Sequence, residues 1–209
     1  MGRPTRYKLS GIPQLITQRG HNRLPCFLDG SDYSVFKEIL WKSAEAADCE
    51  IHAALMLPNA YWVLASPGDT DGISRLIQRT GRCYVRHCNE KYRREGTLWA
   101  GRYKACLVEP DQDIMQSCAT FLLETPAKNG VIDSQGSWPW CFLQYEHDVD
   151  GVASPDSSYE HISTILNMGL VLGSEKFRQE VALREGVRTA PGVRGRPRKS
   201  VHTQSQVEP

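Results

Sequence analysis

The feature that most constrains the fold is an apolar run from Ile51 to Ser66, interrupted only at Pro58-Asn59. A run of this length, bounded by turn residues, predicts two buried strands joined by a tight turn. We expect these strands to form the centre of a sheet. Because side chains alternate along a strand, positions 60 and 62 should point to the same face, where two functional side chains could lie side by side.

Length and composition favour one domain with an extension. At 209 residues and 40% hydrophobic residues, the chain can bury a substantial core but is short for two full domains. The N-terminal sequence MGRPTRYKLSG lacks the apolar region of a signal peptide, and no segment reaches the roughly 18 apolar residues of a membrane span. The seven cysteines are odd in number and contain no C-x-x-C pair, which predicts reduced core thiols. We therefore expect a soluble, intracellular protein.

The remaining pattern predicts strands and helices around the central pair. A strand is predicted over 14–18, and the helix predicted over 112–124 should end before Pro126. The other predicted elements are helices at about 33–47, 73–92, 112–124 and 162–172, the last continuing to Val181, and a strand ending at Val108. This order predicts an α+β sandwich in which the helices pack on one face of an antiparallel sheet.

Charge is segregated along the chain, although the formal net charge is only +1. The segments before Asp29, from Arg75 to Lys104, and after Arg188 are basic, whereas acidic residues dominate from Glu109 to Glu185. Such segregation favours a polyanion-binding surface with an acidic back. A mixed, solvated surface is the alternative.

The predicted helix over 73–92 shows this segregation most clearly. Its arginines form one face and its apolar residues another, and the arginines are Arg75, Arg79, Arg82, Arg86 and Arg93. Stacked arginines repel one another unless anions bind there, so phosphate contact is the favoured interpretation and a solvated face the alternative. The segment Gly96 to Lys104 follows with alternating basic and aromatic residues, a pattern of nucleic-acid surfaces that half-buried strands share.

Several short motifs occur in order along the chain. They are Arg19-Gly20-His21-Asn22-Arg23, Cys49-x-Ile51-His52-Ala53 leading to Pro58-Asn59, Gly96-Thr97-Leu98-Trp99-x-Gly101-Arg102-Tyr103-Lys104, Trp138-Pro139-Trp140, Leu172-Gly173-Ser174-Glu175-Lys176-Phe177 and Gly195-Arg196-Pro197-Arg198-Lys199. Together, over roughly residues 3 to 199, they resemble the REP-associated tyrosine transposases, which are HUH-type single-tyrosine transposases of bacteria. The resemblance implies a ferredoxin-like fold that recognises hairpin-forming single-stranded DNA and cuts it with a tyrosine.

The resemblance also implies a catalytic site, in which a His-x-His pair holds a divalent metal such as magnesium or manganese and a tyrosine attacks the phosphate. The aligned residues here are Ala60 and Trp62 at the metal positions, and Phe121 at the tyrosine position, or Thr120 under a shifted alignment. A methyl group and an indole offer a metal no lone pair, and phenylalanine has no oxygen. We therefore expect no catalytic residue, no metal and no cofactor.

Other residues could substitute for the missing chemistry. His52, in an apolar strand, is more typical of a hydrogen-bonded core histidine than of a metal ligand. Tyr84, Tyr92 and Tyr103 are candidate nucleophiles, although tyrosines on basic surfaces more commonly stack on bases.

The C-terminal sequence Arg194-Gly195-Arg196-Pro197-Arg198-Lys199 resembles an AT-hook. Glycine permits close approach, proline keeps the backbone extended, and the arginines can enter the narrow minor groove of A·T-rich duplex. A generic polybasic tethering tail is the alternative.

Together these features predict a transposase-like protein that binds hairpin or single-stranded DNA and is catalytically inactive. The alternative is an active tyrosine transposase or single-strand nuclease that uses non-standard residues. A third possibility is a protein that acts through dimerisation, as a homodimer or with an active paralogue. The expected location is the bacterial cytoplasm, at the nucleoid and away from membranes.

The predicted organisation comprises a DNA-binding domain over 1–145, a helical extension over 146–186 and a disordered basic tail over 187–209. The predicted DNA-binding residues are Arg19, Arg23, Arg75, Arg79, Arg82, Arg86, Arg93, Arg102, Lys104, Arg194, Arg196, Arg198 and Lys199.

Overall fold

A six-stranded sheet with five helices organises the chain in the computed structural model, which describes residues 7–132, 136–144 and 158–190. The elements are β1 (Gln14–Arg19), α1 (Gly30–Ala46), β2 (Cys49–Leu57), β3 (Ala60–Pro67), α2 (Gly72–Tyr92), β4 (Lys104–Val108), α3 (Gln112–Lys128), β5 (Cys141–Leu143), α4 (Tyr159–Met168), β6 (Val171–Leu172) and α5 (Glu175–Glu185), with a short 3-10 turn at His21–Arg23. The predicted α+β class is confirmed.

The apolar run from Ile51 to Ser66 forms the β2–β3 hairpin at the heart of the sheet. The strand order is β5-β2-β3-β1-β4-β6, and all neighbours are antiparallel except β4 and β6. Pro58 and Asn59 make the two-residue turn, so that Leu57 pairs with Ala60. The predicted central strand pair is therefore confirmed.

Both faces of the central strands are covered by helices. On one face, here called face A, Ile16, Tyr61 and Val63 pack against α1 and α2. On the opposite face, face B, Leu15, Trp62 and other strand residues pack against α3 and α4. The prediction that all helices lie on one face therefore does not describe the structure. A strand that is apolar at every position needs apolar cover on both sides, and α3 and α4 provide the second layer.

Capping side chains fix where the helices begin. Asp29 accepts hydrogen bonds from the N–H groups of Ser31 and Asp32, and the Asp32 side chain accepts one in return from the Asp29 N–H, which completes a capping box before α1. Before α3, the Asp111 side chain accepts hydrogen bonds from the N–H groups of Asp113 and Ile114.

The third helix continues past Pro126 to Lys128, so the prediction that it ends before this proline is wrong. Proline lacks the N–H that would bond to the carbonyl four residues earlier. Because Pro126 lies in the last turn, the helix loses only this one backbone hydrogen bond. In the same turn the Thr125 hydroxyl donates to the Phe121 carbonyl at 2.6 Å.

The segment after residue 158 joins the same sheet. α4 packs on face B, and β6 pairs with β4 through Leu107 with Val171 and Val108 with Leu172. The helix predicted over 162–172 instead ends at Met168, and Gly169 caps it with a φ of 66°, the left-handed geometry that favours glycine. The predicted boundary at 145/146 lies outside the described residues, and the domain division stays a prediction.

The seven cysteines are free thiols, and of these only Cys83 is exposed. Burial raises the pKa of the Cys26 and Cys106 thiols to about 12. Among the described helices, none combines the length and the apolar character needed to cross a bilayer.

Candidate nucleic-acid interface

Helix α2 presents a basic surface because its apolar residues are committed to the core. Leu76, Tyr84 and Cys88 are almost completely buried against face A, and the Tyr84 hydroxyl donates to the Cys26 carbonyl at 2.8 Å. With that side fixed, the remaining positions point to solvent. The predicted residues Arg75, Arg79, Arg82, Arg86 and Arg93 all reach the surface.

These arginines differ in whether a carboxylate already neutralises them. Arg75 is paired, since its guanidinium donates to Asp69 at 3.0 Å and to the Ala47 carbonyl at 3.1 Å. Within the described residues, no hydrogen bond or ion pair engages the guanidinium groups of Arg79, Arg82 or Arg86. The unpaired charge therefore lies in the middle of the helix rather than at its start.

A groove of about 600 Å³ runs between α2 and the segment from Gly96 to Tyr103. Arg82 of α2 and Arg102 of this segment both line it, and Gln18 and Tyr103 contribute as well. No acidic residue is among the described residues that line the groove. The structure thus brings together two basic segments that are separate in the sequence.

Backbone hydrogen bonds hold the 96–103 segment in place. Trp99 forms an isolated antiparallel bridge with Gly20, the Ala100 N–H donates to the Arg19 carbonyl at 2.8 Å, and the His21 N–H donates to the Leu98 carbonyl at 2.8 Å. A Cβ at Gly20 would lie 2.3 Å from the Leu24 carbonyl oxygen, so this position requires glycine. One side of the groove is therefore fixed before any ligand binds.

A second groove of about 310 Å³ lies on the other side of α2. It is lined by Arg75, Arg79 and Arg82 together with Cys83 and the end of α1. Because Arg82 lines both grooves, the basic stripe forms a ridge between two depressions.

Lys91 anchors the C-terminal end of this helix to α1. Its ammonium group donates to Asp32 at 2.8 Å and to Asp29 at 2.8 Å, and the Tyr92 hydroxyl donates to Asp32 at 2.7 Å. The Asp32 side chain is completely buried. Burial alone would raise the pKa of this carboxyl, but the hydrogen bonds from Lys91, Tyr92 and the Leu28 N–H lower it overall.

Arg19 and Lys104, by contrast, belong to face B. Strand alternation places them with Leu15 and Cys106, opposite to Gln18 and Ala105. Lys104 donates to the Asn167 side chain of α4 at 2.8 Å, and partial burial, with a smaller contribution from Arg19, lowers its pKa. The predicted DNA-binding residues are therefore divided between two faces of the sheet.

The other predicted residues fall at three places. Arg23 is exposed in the turn after Gly20, where its φ is 59°. Arg93 lies at the C-cap of α2. The AT-hook-like residues Arg194, Arg196, Arg198 and Lys199 lie outside the described residues.

Ala60, Trp62 and Phe121 lie in one buried cluster on face B. Their exposed fractions are 2%, 5% and 3%, and the Phe121 ring stacks on Tyr159 of α4 with centroids 4.7 Å apart. Thr17 pairs with Trp62, and Arg19 pairs with Ala60, across the β1–β3 ladder. The three aligned positions thus belong to the same core on face B, and Arg19 lies opposite Ala60.

This cluster does not fit a metal ion. Ala60, Trp62 and Phe121 offer no carboxylate, imidazole or thiolate, and their surroundings are apolar. Nor does any group of three or more His, Cys, Asp or Glu side chains suited to a metal occur in the part of the chain that the structure describes.

The residues considered as substitutes are mostly engaged elsewhere. His52 Nε2 lies 2.7 Å from the Ser66 hydroxyl, and burial lowers the pKa of the imidazole, with Glu50 opposing the shift. Tyr84 is buried, which raises the pKa of its hydroxyl far above the usual range. Of the three candidate tyrosines, only Tyr103 lines the 600 Å³ groove, where its hydroxyl lies 3.3 Å from that of Ser74.

Gln18, Gly81 and Trp99 also line this groove, although the sequence pattern did not single them out as site residues. One signal was available for Gly81, because a glycine in the interior of a basic amphipathic helix is unfavourable and therefore indicates a packing or functional role.

Comparisons with known proteins agree with this architecture. No protein-family model matches the sequence, and no curated protein matches it either. Among solved structures, the chain is similar to a REP-associated tyrosine transposase bound to a REP hairpin, with a TM-score of 0.57 and 20% identity over 68% of this chain and 82% of that one. It also matches a chain from Deinococcus radiodurans R1 named as a putative transposase, with a TM-score of 0.40 and 20% identity over 66% and 98% of the two chains. At this identity the first match shows a shared fold, and the second supports no further argument.

Proposed function

We propose that this chain is a transposase-type DNA-binding protein that binds hairpin or single-stranded DNA without cleaving it. The observation that carries the proposal is the row of unpaired guanidinium groups of Arg79, Arg82 and Arg86 on α2, of which Arg82 lines a groove whose described lining contains no acidic residue. Three like charges along one helix face are unfavourable unless an anion lies there. A phosphate backbone supplies such an anion, and release of its counterions favours binding.

The shared fold supports DNA as the ligand. The structural relative with a TM-score of 0.57 was determined with a REP hairpin bound. A hairpin offers both a duplex stem and unpaired nucleotides, which suits a surface with a basic ridge and adjoining grooves.

The proposed loss of cleavage rests on the residues at three aligned positions. Phosphoryl transfer of this type needs a metal to polarise the phosphate and a hydroxyl to attack it. Ala60, Trp62 and Phe121 supply neither, and their burial leaves the cluster apolar. We therefore expect binding and cleavage to be separated in this chain.

The alternative is an active transposase that uses a non-standard nucleophile. Tyr103 is the candidate that the geometry favours, because it lines the groove together with Arg82 and Arg102. Under this alternative a Tyr103→Phe variant would abolish cleavage, whereas under our proposal there is no cleavage to abolish.

Titration of a labelled DNA hairpin at several salt concentrations tests the proposal. We expect binding whose logarithmic affinity falls linearly with the logarithm of salt concentration, as counterion release requires. Absence of binding at low salt would refute DNA as the ligand. Binding that does not depend on salt would refute the role of the arginines.

A further inference from the structure

The basic C-terminal sequence has no role in the proposed function as it stands. Residues 191–209, here called the C-terminal segment, contain four basic residues against one acid, Glu208. The basic residues are those of the AT-hook-like run over 194–199, which lies outside the described residues. What this charge can contact depends on where the chain leaves the folded domain, and the structure describes that place.

Hydrogen bonds hold residues 188 and 189 against the sheet. The Val171 N–H of β6 donates to the Thr189 carbonyl at 3.1 Å. The Tyr7 hydroxyl donates to the Gly169 carbonyl at 3.0 Å and lies 3.5 Å from the Arg188 carbonyl oxygen. Tyr7 and Val171 also belong to one buried apolar cluster. The C-terminal segment therefore starts from a defined place on the sheet.

This place is the outer edge of β6. N–H groups of β4 donate to the Leu170 and Leu172 carbonyls, at 3.2 and 2.9 Å. Because successive residues of a strand direct their hydrogen-bonding groups to opposite sides, the Val171 N–H points away from β4. Thr189, which accepts from it, thus lies one strand spacing beyond β6 and two beyond β4.

The starting point is close to the groove beside α2. β4 begins at Lys104, directly after Tyr103, which lines the groove, and Leu107 of β4 pairs with Val171. Strands lie about 4.8 Å apart and rise about 3.3 Å per residue, so two strand spacings and the step from Leu107 back to Tyr103 amount to about 16 Å. Thr189 is therefore about 16 Å from one side of the groove.

The AT-hook-like run can span this distance. A chain extends at most about 3.3 to 3.6 Å per residue, so Arg194 can lie up to about 17 Å from Thr189, and Lys199 up to about 33 Å. DNA that occupies the groove and continues past it is therefore within reach of these side chains.

The composition of the C-terminal segment suits duplex rather than unpaired DNA. It contains no Phe, Tyr or Trp that could stack on an unpaired base. Arginines beside glycine and proline are instead suited to the narrow, strongly negative minor groove of A·T-rich duplex.

We propose that residues 194–199 bind the minor groove of an A·T-rich duplex stem in the same DNA molecule whose phosphates contact α2. Because both contacts belong to one chain, the second contact is intramolecular, and its contribution depends on the length of chain that joins it to β6. This inference rests on the proposed function, since α2 must bind the hairpin for the C-terminal segment to act on its stem.

Two variants of the full chain separate charge from reach. The quadruple variant Arg194→Gln, Arg196→Gln, Arg198→Gln and Lys199→Gln removes the charge. Insertion of about 20 Gly and Ser residues after Ala190 keeps the charge but lengthens the connection to β6. The control is the double variant Lys176→Gln and Arg184→Gln, which removes exposed positive charge from α5. Circular dichroism melting of each variant verifies that it is folded.

The measurement compares two fluorescent DNA hairpins of equal length and identical loop, one with an A·T-rich stem and one with a G·C-rich stem. We expect the wild type to bind the A·T-rich hairpin about tenfold more tightly, and the quadruple variant to bind both equally. Because effective concentration falls with about the −3/2 power of the connecting length, the insertion should reduce the preference to about twofold. The α5 variant should retain the full preference.

The outcomes separate this inference from the proposed function. If the wild type binds both hairpins equally, or if the quadruple variant keeps the preference, the minor-groove contact is refuted while DNA binding by α2 stands. If the insertion leaves the tenfold preference unchanged, the intramolecular contact set by attachment at β6 is refuted. If the wild type binds neither hairpin, both the proposed function and this inference fail.

Discussion

Arg82 of α2 and Arg102 of the 96–103 segment line the same groove, with no acidic residue among the other described residues that line it. Arg82 also borders the second groove with Arg75 and Arg79. Positive charge at the wall of a concave surface concentrates its field and raises the local concentration of an anionic ligand. The position of Arg82 and Arg102 at the wall of one groove is therefore the geometric basis for the proposed DNA binding beside α2.

Replacing the unpaired arginines should weaken binding and flatten its salt dependence. In the triple variant Arg79→Gln, Arg82→Gln and Arg86→Gln, the loss of three phosphate contacts should lower the slope of log affinity against log salt by about 2 for single-stranded DNA. Affinity at about 0.1 M salt should fall at least about tenfold. Fluorescence anisotropy at four or five salt concentrations measures both quantities.

Arg75→Gln is the matched control on the same helix. Because Asp69 already neutralises Arg75, its replacement should change the slope by less than about 0.5. If Arg75→Gln reduces the slope as much as each of the other three substitutions does, the distinction between paired and unpaired arginines is wrong.

The contact between Lys91 and Asp32 should contribute strongly to stability. Lys91→Met leaves the buried Asp32 carboxylate without its cation, so this substitution should lower the free energy of unfolding much more than the loss of a lysine from an exposed pair. Urea unfolding measures the loss. Lys42→Met is the control, since the Lys42–Glu38 pair is exposed and should contribute little to stability. Equal effects of the two substitutions would contradict the assignment.

The same network predicts how stability depends on pH. The folded-state pKa of Asp32 is lowered, so the stability it confers is present above the unfolded value of about 3.9 and is lost as pH falls through the folded pKa. Lys91→Met removes a hydrogen bond that lowers this pKa. The difference in unfolding free energy between wild type and variant should therefore shrink below about pH 4. A difference that grows with acidification would be inconsistent with this network.

Cys83 provides a chemical probe of the basic ridge. It is the one exposed cysteine of the seven and lines the second groove with Arg79 and Arg82. One thiol should react rapidly with a thiol reagent in the folded protein, and Cys83→Ser should abolish that phase. Excess hairpin DNA should slow the reaction several-fold. Unchanged reactivity at saturating DNA would place the ligand away from this groove.

Introducing imidazoles tests whether positions 60 and 62 correspond to the metal positions that the resemblance to tyrosine transposases implies. Ala60 and Trp62 point to face B two residues apart, so the double variant Ala60→His and Trp62→His should present an imidazole pair there. Because a metal that binds only the folded state stabilises it, manganese should raise the melting temperature of this variant and leave the wild type unchanged. A manganese-dependent shift in the wild type would show that a metal site exists elsewhere.

Much of the fold was predictable because its signals are local. The Ile51 to Ser66 run predicted the central hairpin, and the helical spacing of Ile73, Leu76, Ile77, Tyr84 and Cys88 predicted α2 nearly to its ends. The same run lacks the alternation of polar and apolar residues that a sheet with one exposed face shows. It therefore already indicated helices on both faces, which the prediction of helices on one face overlooked. The β6 strand was predicted as helix because Val171 and Leu172 are too few to show a period, and only pairing with β4 decides their conformation.

The site was predictable in its charges but not in its assembly. Exposure of the arginines followed from the periodicity of α2, whereas the pairing of Arg75 with Asp69 and the placement of Arg19 and Lys104 on face B depend on tertiary contacts. Gly81 lies beside Trp99 but belongs to another element, so no spacing within the Gly96 to Lys104 motif could indicate that these two residues meet.

One assay tests directly whether this protein binds DNA without cleaving it. The purified protein is incubated with manganese and a hairpin DNA labelled at one end, and the products are separated on native and denaturing gels. We expect a shifted complex on the native gel, and on the denaturing gel only the intact strand. A shortened strand, or a protein–DNA adduct that survives denaturation, would contradict it.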